Sequence, residues 1–187
     1  TNIMFYDDTF TLNKPRFLKI CSEIVKRKLN IRYYCQLRVD TIDEEVADGL
    51  AESGCITAAL GIETGDEEIL KTLKKGYVKS QAYKAVAALK AAGVPTLASY
   101  ILGSPGDTHE SIKKTFDLAR ELDTDQAKFM ICTPFPGTEL FRMAVEKGIL
   151  SENPTPAQCA GITYYQHVAA NLSCLSDEEL LKYQREA

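Results

Sequence analysis

Five clusters of polar residues sit where apolar runs end, and their side chains are the ones that could do chemistry. Asp7 and Asp8 follow Asn2–Tyr6, while Gln36, Arg38 and Asp40 close Ile31–Leu37. Glu63 follows Ile56–Ile62, Ser99 and Gly103 belong to the run S-Y-I-L-G-S-P-G-D (Ser99–Asp107), and Cys132 and Thr133 end Ala127–Cys132. Carboxylates so placed can neutralise an ammonium group or hold a hard divalent cation. Arg38 carries a planar fork suited to a carboxylate. The glycines of the Ser99–Asp107 run let a flat ligand approach backbone N–H groups at a strand-to-helix junction.

The elements that must position these groups alternate. The apolar runs read as five strands, each followed by a helical pattern. Asn13 and Pro15 open a helix with Phe17, Cys21, Ile24, Val25 and Leu29 on one face. Thr41 with Glu44, Asp107 with Glu110 and Ser176 with Glu179 have the spacing of capping boxes, and Thr138 caps a helix that runs to Gly148. Glu67–Lys74 and Ser80–Ala92 read as two further helices, stopped by Gly76 and Gly93. Strand–helix alternation of this kind predicts an α/β fold with five parallel strands and right-handed crossovers. The strands read as apolar enough to be covered on both faces. In such folds ligands bind beyond the carboxyl ends of strands. Polar residues at all five ends favour an open, TIM-barrel-like partial (β/α) barrel with one shared hollow.

Composition narrows the class. The chain has 187 residues and a net charge of −4, with 22 basic against 26 acidic residues, which argues against a nucleic-acid or anionic-membrane surface. No apolar run has the length of a membrane span. The six cysteines include no C-x-x-C pair and only two histidines are present, a pattern that fits buried thiols in a reducing, cytoplasmic compartment. From Leu150 to Ser173 the periodicity fades, with Pro154, Pro156, Gly161 and Tyr164-Tyr165 marking an irregular packed stretch. The chain enters an apolar run directly from Thr1, which reads as an excerpt of a longer protein.

Taken in order, F-Y-D-D-T-F-T (Phe5–Thr11), C-Q-L-R-V-D (Cys35–Asp40), G-I-E-T-G-D (Gly61–Asp66), Y-I-L-G-S-P-G-D-T (Tyr100–Thr108) and T-P-F-P-G-T-E-L (Thr133–Leu140) resemble radical S-adenosylmethionine (SAM) enzymes. The nearest likeness is to the branch whose members often carry a cobalamin-binding domain, beside the methylthiotransferases. The resemblance covers residues 1–150 and leaves 151–187 as a C-terminal extension with a terminal helix. It implies a partial barrel whose first strand leads into a C-x-x-x-C-x-x-C loop holding a [4Fe–4S] cluster. This chain has no such triplet. The resemblance therefore starts it at the second strand, with cluster, SAM cleavage and any cobalamin belonging to the full-length parent and the fragment inactive alone.

Carried over by position, the resemblance gives Asp7 and Asp8 the methionyl amine of SAM, where the family has Gly-Gly-Glu. Gln36 and Arg38 match the third strand's end, with Arg38 on a carboxylate of SAM or substrate. Glu63 takes ribose hydroxyls or the amine, and Lys75 the SAM carboxylate. Ser99, Ile101 and Gly103 match the family's G-x-I-x-G-x-x-E element, with Ile101 on the adenine face. Cys132 and Thr133 border the adenine through backbone groups. The implied chemistry is reductive cleavage of SAM to a 5′-deoxyadenosyl radical, which acts on a small-molecule substrate.

Two other readings compete. Asp7, Asp8 and Glu63 around Mg²⁺ or Mn²⁺ would make a barrel lyase or aldolase. A partial barrel could also be a non-catalytic binding module. An exposed edge at Asn2–Tyr6 predicts a homodimer formed by strand pairing.

Overall fold

A computed structural model describes residues 1–155 and 168–187. Pro156, Cys159, Gly161, Tyr164, Tyr165 and His167 lie outside the described residues. The elements are β1 (Asn2–Phe5), α1 (Lys14–Lys26), β2 (Arg32–Leu37), a 3-10 turn (Val39–Thr41), α2 (Glu44–Glu52), β3 (Cys55–Glu63), α3 (Glu67–Thr72), α4 (Lys79–Ala91), β4 (Thr96–Leu102), α5 (His109–Leu122), β5 (Gln126–Ile131), α6 (Glu139–Glu146) and α7 (Asp177–Glu186). The strands form one α/β sheet in the order β1-β2-β3-β4-β5, parallel and not closed. No helix among the described residues is long and apolar enough to cross a membrane.

The chain divides into two compact units. The first comprises Thr1–Glu63, Gly76–Ser99 and Leu118–Lys128. Its core is built from side chains that the helical and strand periods bring inward: Phe17, Cys21 and Ile24 of α1, Tyr33, Cys35 and Leu37 of β2, Val46, Ala47 and Leu50 of α2, and Ala85, Val86 and Leu89 of α4. Phe10 stacks on Phe5 at 4.2 Å and meets Phe17 edge-on at 5.4 Å. Gly49 of α2 allows close helix packing, since a Cβ there would stand 3.3 Å from Leu18.

The second unit comprises Thr64–Lys75, Tyr100–Asp117 and Phe129–Ala187. Leu102, Ile112, Ile131, Leu175 and Leu180 form its core, with Phe116, Phe129 and Tyr183 against them. A smaller cluster gathers Ala144, Ala170 and Leu172.

Several local expectations are corrected. Val25 and Leu29 are 46% and 48% exposed: Val25 lies in α1 but beside the buried stripe of Phe17, Cys21 and Ile24, and Leu29 falls beyond the helix, which ends at Lys26 before the chain turns at Lys28 (φ +52°). The cap of α2 is Asp43, which accepts from the Val46 N–H at 3.0 Å. Thr41 instead closes the 3-10 turn, its hydroxyl bonding the Arg38 carbonyl at 2.8 Å and the Thr11 hydroxyl at 2.5 Å. Asp107 does not cap α5. Its carboxylate turns back onto the loop, and Thr108 and Ser111 cap each other's backbone N–H groups at 2.8 and 3.3 Å. β1 is an exposed edge rather than a buried strand, with Met4 48% exposed. In β4 burial alternates, so Leu97, Ser99 and Ile101 are half-buried between buried neighbours and one face is only partly covered.

Candidate functional site

Glu63, the last residue of β3, is the most unusual residue in the first unit. It is 7% exposed and adopts φ +66°. A non-glycine residue in the left-handed region costs about 1–2 kcal/mol and persists where surrounding structure enforces it. One neighbour holds the backbone here, and a second leaves room for the side chain. The Tyr77 hydroxyl donates to the Ile62 carbonyl, fixing the peptide just before Glu63. Two residues upstream, Gly61 leaves room for the carboxylate in this position: a Cβ there would stand 2.7 Å from Glu63 Oε1 and push it aside. Glu63 was legible as a strand-end carboxylate. Gly61 and Tyr77 were missed, and the only signal was the period-two spacing of Gly61 and Glu63.

At the end of β2, Arg38 makes a two-pronged contact with Asp40. Nε lies 3.0 Å from Oδ1 and Nη2 lies 2.8 Å from Oδ2. Asp40 holds the Arg38 guanidinium more firmly protonated than usual, above the ordinary arginine range. The two side chains are 39% and 24% exposed. The turn beneath them is pinned by Thr41, whose N–H reaches the Arg38 carbonyl at 3.1 Å. Gly76 (φ +72°) flanks the guanidinium, its Cβ direction 3.9 Å from Nη2.

The other first-unit candidates are less constrained. Asp7 lies 3.5 Å from Arg16 Nη1, and Asp8 is exposed. Gln36 points its side chain to the exposed face of β2, and its carbonyl accepts from the Phe10 N–H at 3.0 Å. Ser99 is half-buried in β4. Among the described residues no three His, Cys, Asp or Glu side chains could hold a metal ion. Asp7, Asp8 and Glu63 are thus not a divalent-metal set, which removes the footing of the lyase reading. By the same donor chemistry the described residues do not fit a [4Fe–4S] cluster.

In the second unit, Gly103 follows β4 with φ +85°. A Cβ there would stand 2.9 Å from Leu180 Cδ1, so the room beside this glycine is filled by α7 and a ligand can meet it only through backbone groups. The Gly103 and Ser104 N–H groups donate to Asp107 Oδ2 at 3.0 and 2.9 Å, and Ser111 Oγ donates to Oδ1 at 2.6 Å. Burial still pushes the Asp107 carboxyl above its usual range, although these bonds oppose the shift. Ser104 Oγ is buried with no hydrogen-bond partner among the described residues, a feature that no spacing or residue type signals.

Ile101 is half-buried, and the buried Cys132 joins β5 to β4 through its N–H, 2.8 Å from the Leu102 carbonyl. Thr133 Oγ1 donates to the Ile131 carbonyl at 3.1 Å. Lys75 is half-buried just beyond α3, its N–H 3.2 Å from the Leu70 carbonyl. The motif residues Thr64 and Gly65 serve packing: the Gly65 N–H donates to Thr115 Oγ1 at 3.0 Å, and a Cβ on Gly65 would collide with the Lys114 carbonyl at 2.1 Å.

An open parallel sheet with polar groups beyond its strand ends is an α/β scaffold of the kind in which ligands sit outside the carboxyl ends of the strands. The chain belongs to the radical SAM superfamily, whose family model, described as "Radical SAM superfamily", matches residues 1–119. Members of that family are enzymes that use SAM and a [4Fe–4S] cluster.

An uncharacterized methyltransferase of Pyrococcus horikoshii is 40% identical over 148 residues, which is 79% of this chain and 32% of that protein. The anaerobic magnesium-protoporphyrin IX monomethyl ester cyclase of Rubrivivax gelatinosus is 29% identical over 143 residues, 75% of this chain and 26% of the cyclase. Among solved structures, the radical SAM methyltransferase TsrM of Kitasatospora setae, with cobalamin and a [4Fe–4S] cluster bound, aligns with TM-score 0.72 and 25% identity over 78% of this chain and 30% of that one. The same enzyme with tryptophan and a SAM analogue aligns with TM-score 0.71 and 26% identity, covering 77% of this chain and 30% of that one. The partial-barrel fold expected from the strand–helix alternation is therefore the fold of these neighbours. The chain spans about a third or less of the length of the relatives it matches.

Proposed function

We propose that this chain is the SAM-binding part of a radical SAM enzyme of the methyltransferase and cyclase-like branch, acting on a small molecule, with the cluster and any cobalamin held by other parts of the full-length protein. The observation that carries the reading is Glu63, buried and held in the left-handed region over Gly61. Strained, buried residues of this kind cluster at ligand sites, because a side chain in the left-handed region costs stability. The P. horikoshii methyltransferase and TsrM support the branch.

In this reading SAM supplies, when bound, a reactive carbon centre or a methyl group; the chain's residues bind and orient it. Glu63 accepts hydrogen bonds from the ribose hydroxyls or the methionyl ammonium. Asp7 and Asp8 are the further partners for that ammonium, and Arg38, with Gln36 beside it, meets the carboxylate. Ser99, Ile101, Gly103, Cys132 and Thr133 serve the adenine through apolar and backbone contacts, and Lys75 is a second cation for the carboxylate. Residues 1–150 supply these groups, and 151–187 form the extension. The free cysteines support a reducing, cytoplasmic setting.

Titration calorimetry with S-adenosylhomocysteine tests the reading. Glu63→Gln is expected to weaken binding about tenfold, the loss of one or two charge-assisted hydrogen bonds. Binding unchanged by Glu63→Gln, with the variant folded, would sink it. A homodimer through strand pairing at the β1 edge is a separate proposal for the chain without a preceding strand, and a concentration-independent monomer of residues 1–187 in sedimentation would exclude it.

A further inference from the structure

The Arg38–Asp40 contact asks for an explanation of its own. Arginine grips one carboxylate well through its Nε–Nη2 edge, and Asp40 occupies that edge at 3.0 and 2.8 Å. An exposed pair between residues two apart adds little to stability, so the fold does not depend on it. Yet the backbone under the pair is fixed, with the Thr41 hydroxyl and N–H both on the Arg38 carbonyl and Thr41 tied to Thr11. Gly76, at φ +72°, sets no side chain of its own against the guanidinium, its Cβ direction lying 3.9 Å from Nη2. The result is a rigidly based arginine whose recognition edge is held by a weakly bound, partly exposed carboxylate.

We infer that Asp40 is a stand-in for a ligand carboxylate: it keeps the Arg38 fork aligned until the carboxylate of the SAM methionyl group displaces it. The inference rests on the assignment of Arg38 to that carboxylate. Asp40 is here a specificity-setting residue. It places a competing anion that a neutral or decarboxylated ligand cannot displace from the fork, and that a carboxylate ligand can.

The test compares S-adenosylhomocysteine with its decarboxylated analogue, which keeps the amine, by calorimetry at low salt in the full-length protein. Asp40→Asn and Asp40→Ser are expected to bind S-adenosylhomocysteine about threefold tighter, the size of an exposed ion pair removed from competition. The decarboxylated analogue should bind all forms alike. Arg38→Gln should lose about tenfold for S-adenosylhomocysteine alone. Equal or weaker binding of S-adenosylhomocysteine by both Asp40 variants, with Arg38→Gln still selective, overturns the stand-in role and makes Asp40 a plain structural partner. No loss in Arg38→Gln, or no binding by the wild type, removes the assignment of Arg38 and the stand-in with it.

Discussion

Two strand ends in this chain turn the backbone the same way and do it with opposite residues. After β4 the second unit places Gly103 at φ +85°, and Leu180 fills the space where a side chain would be. At the end of β3 the first unit places Glu63 at φ +66°, with its carboxylate over Gly61. Glycine takes that backbone region freely, whereas glutamate does not. One end is therefore optimised for stability. The other keeps strain together with a buried charge-bearing group, as expected where a fold gives up stability for recognition.

The comparison can be broken most sharply at Gly103. Gly103→Ala combines a positive φ with a Cβ 2.9 Å from a fully buried leucine, and should destabilise by about 3 kcal/mol in urea melts. A loss below about 1 kcal/mol would mean that the two ends do not differ as described.

Next comes the loop that Gly103 opens. Asp107→Ala strands two buried N–H groups and leaves the Ser111 hydroxyl only the Thr108 carbonyl, and should cost about 2 kcal/mol. Asp107→Asn keeps an acceptor and should be close to neutral. Because burial raises the native carboxyl above its unfolded value, the native state holds that proton more tightly. The wild type is thus most stable relative to Asp107→Asn below about pH 4, and loses that margin as pH rises through the raised native value. Melts of the pair at about pH 3.5 and about pH 6 read the sign directly.

The smallest effect sharpens the other side of the comparison. Glu63→Gly should stabilise the protein by about 1 kcal/mol while weakening S-adenosylhomocysteine binding about tenfold, as Glu63→Gln does. Destabilisation instead would show that the carboxylate serves packing.

The sequence made the sheet legible because each strand is a short apolar run with a cap or a glycine on either side. The Asn13, Thr138 and Ser176 caps stand where the spacing placed them. Where two acceptors lay close together, as with Thr41 and Asp43 or Asp107 and Thr108, pattern alone could not choose. The choice was made by tertiary hydrogen bonds, Thr11 on Thr41 and the Gly103 and Ser104 N–H groups on Asp107. At the candidate site the charged residues were visible by type. The partners that give them meaning were not, since the Asp40 contact, the Gly61 clearance and the Tyr77 bond depend on side-chain direction rather than spacing.

The fit of Leu180 against Gly103 bears on the order in which the molecule is made. On the ribosome the β4 loop emerges long before α7, so its final apolar partner does not yet exist. β1, β2 and β3, paired in register to near neighbours in the chain, can settle early. The Gly103 turn must wait, half-finished, until α7 has been translated.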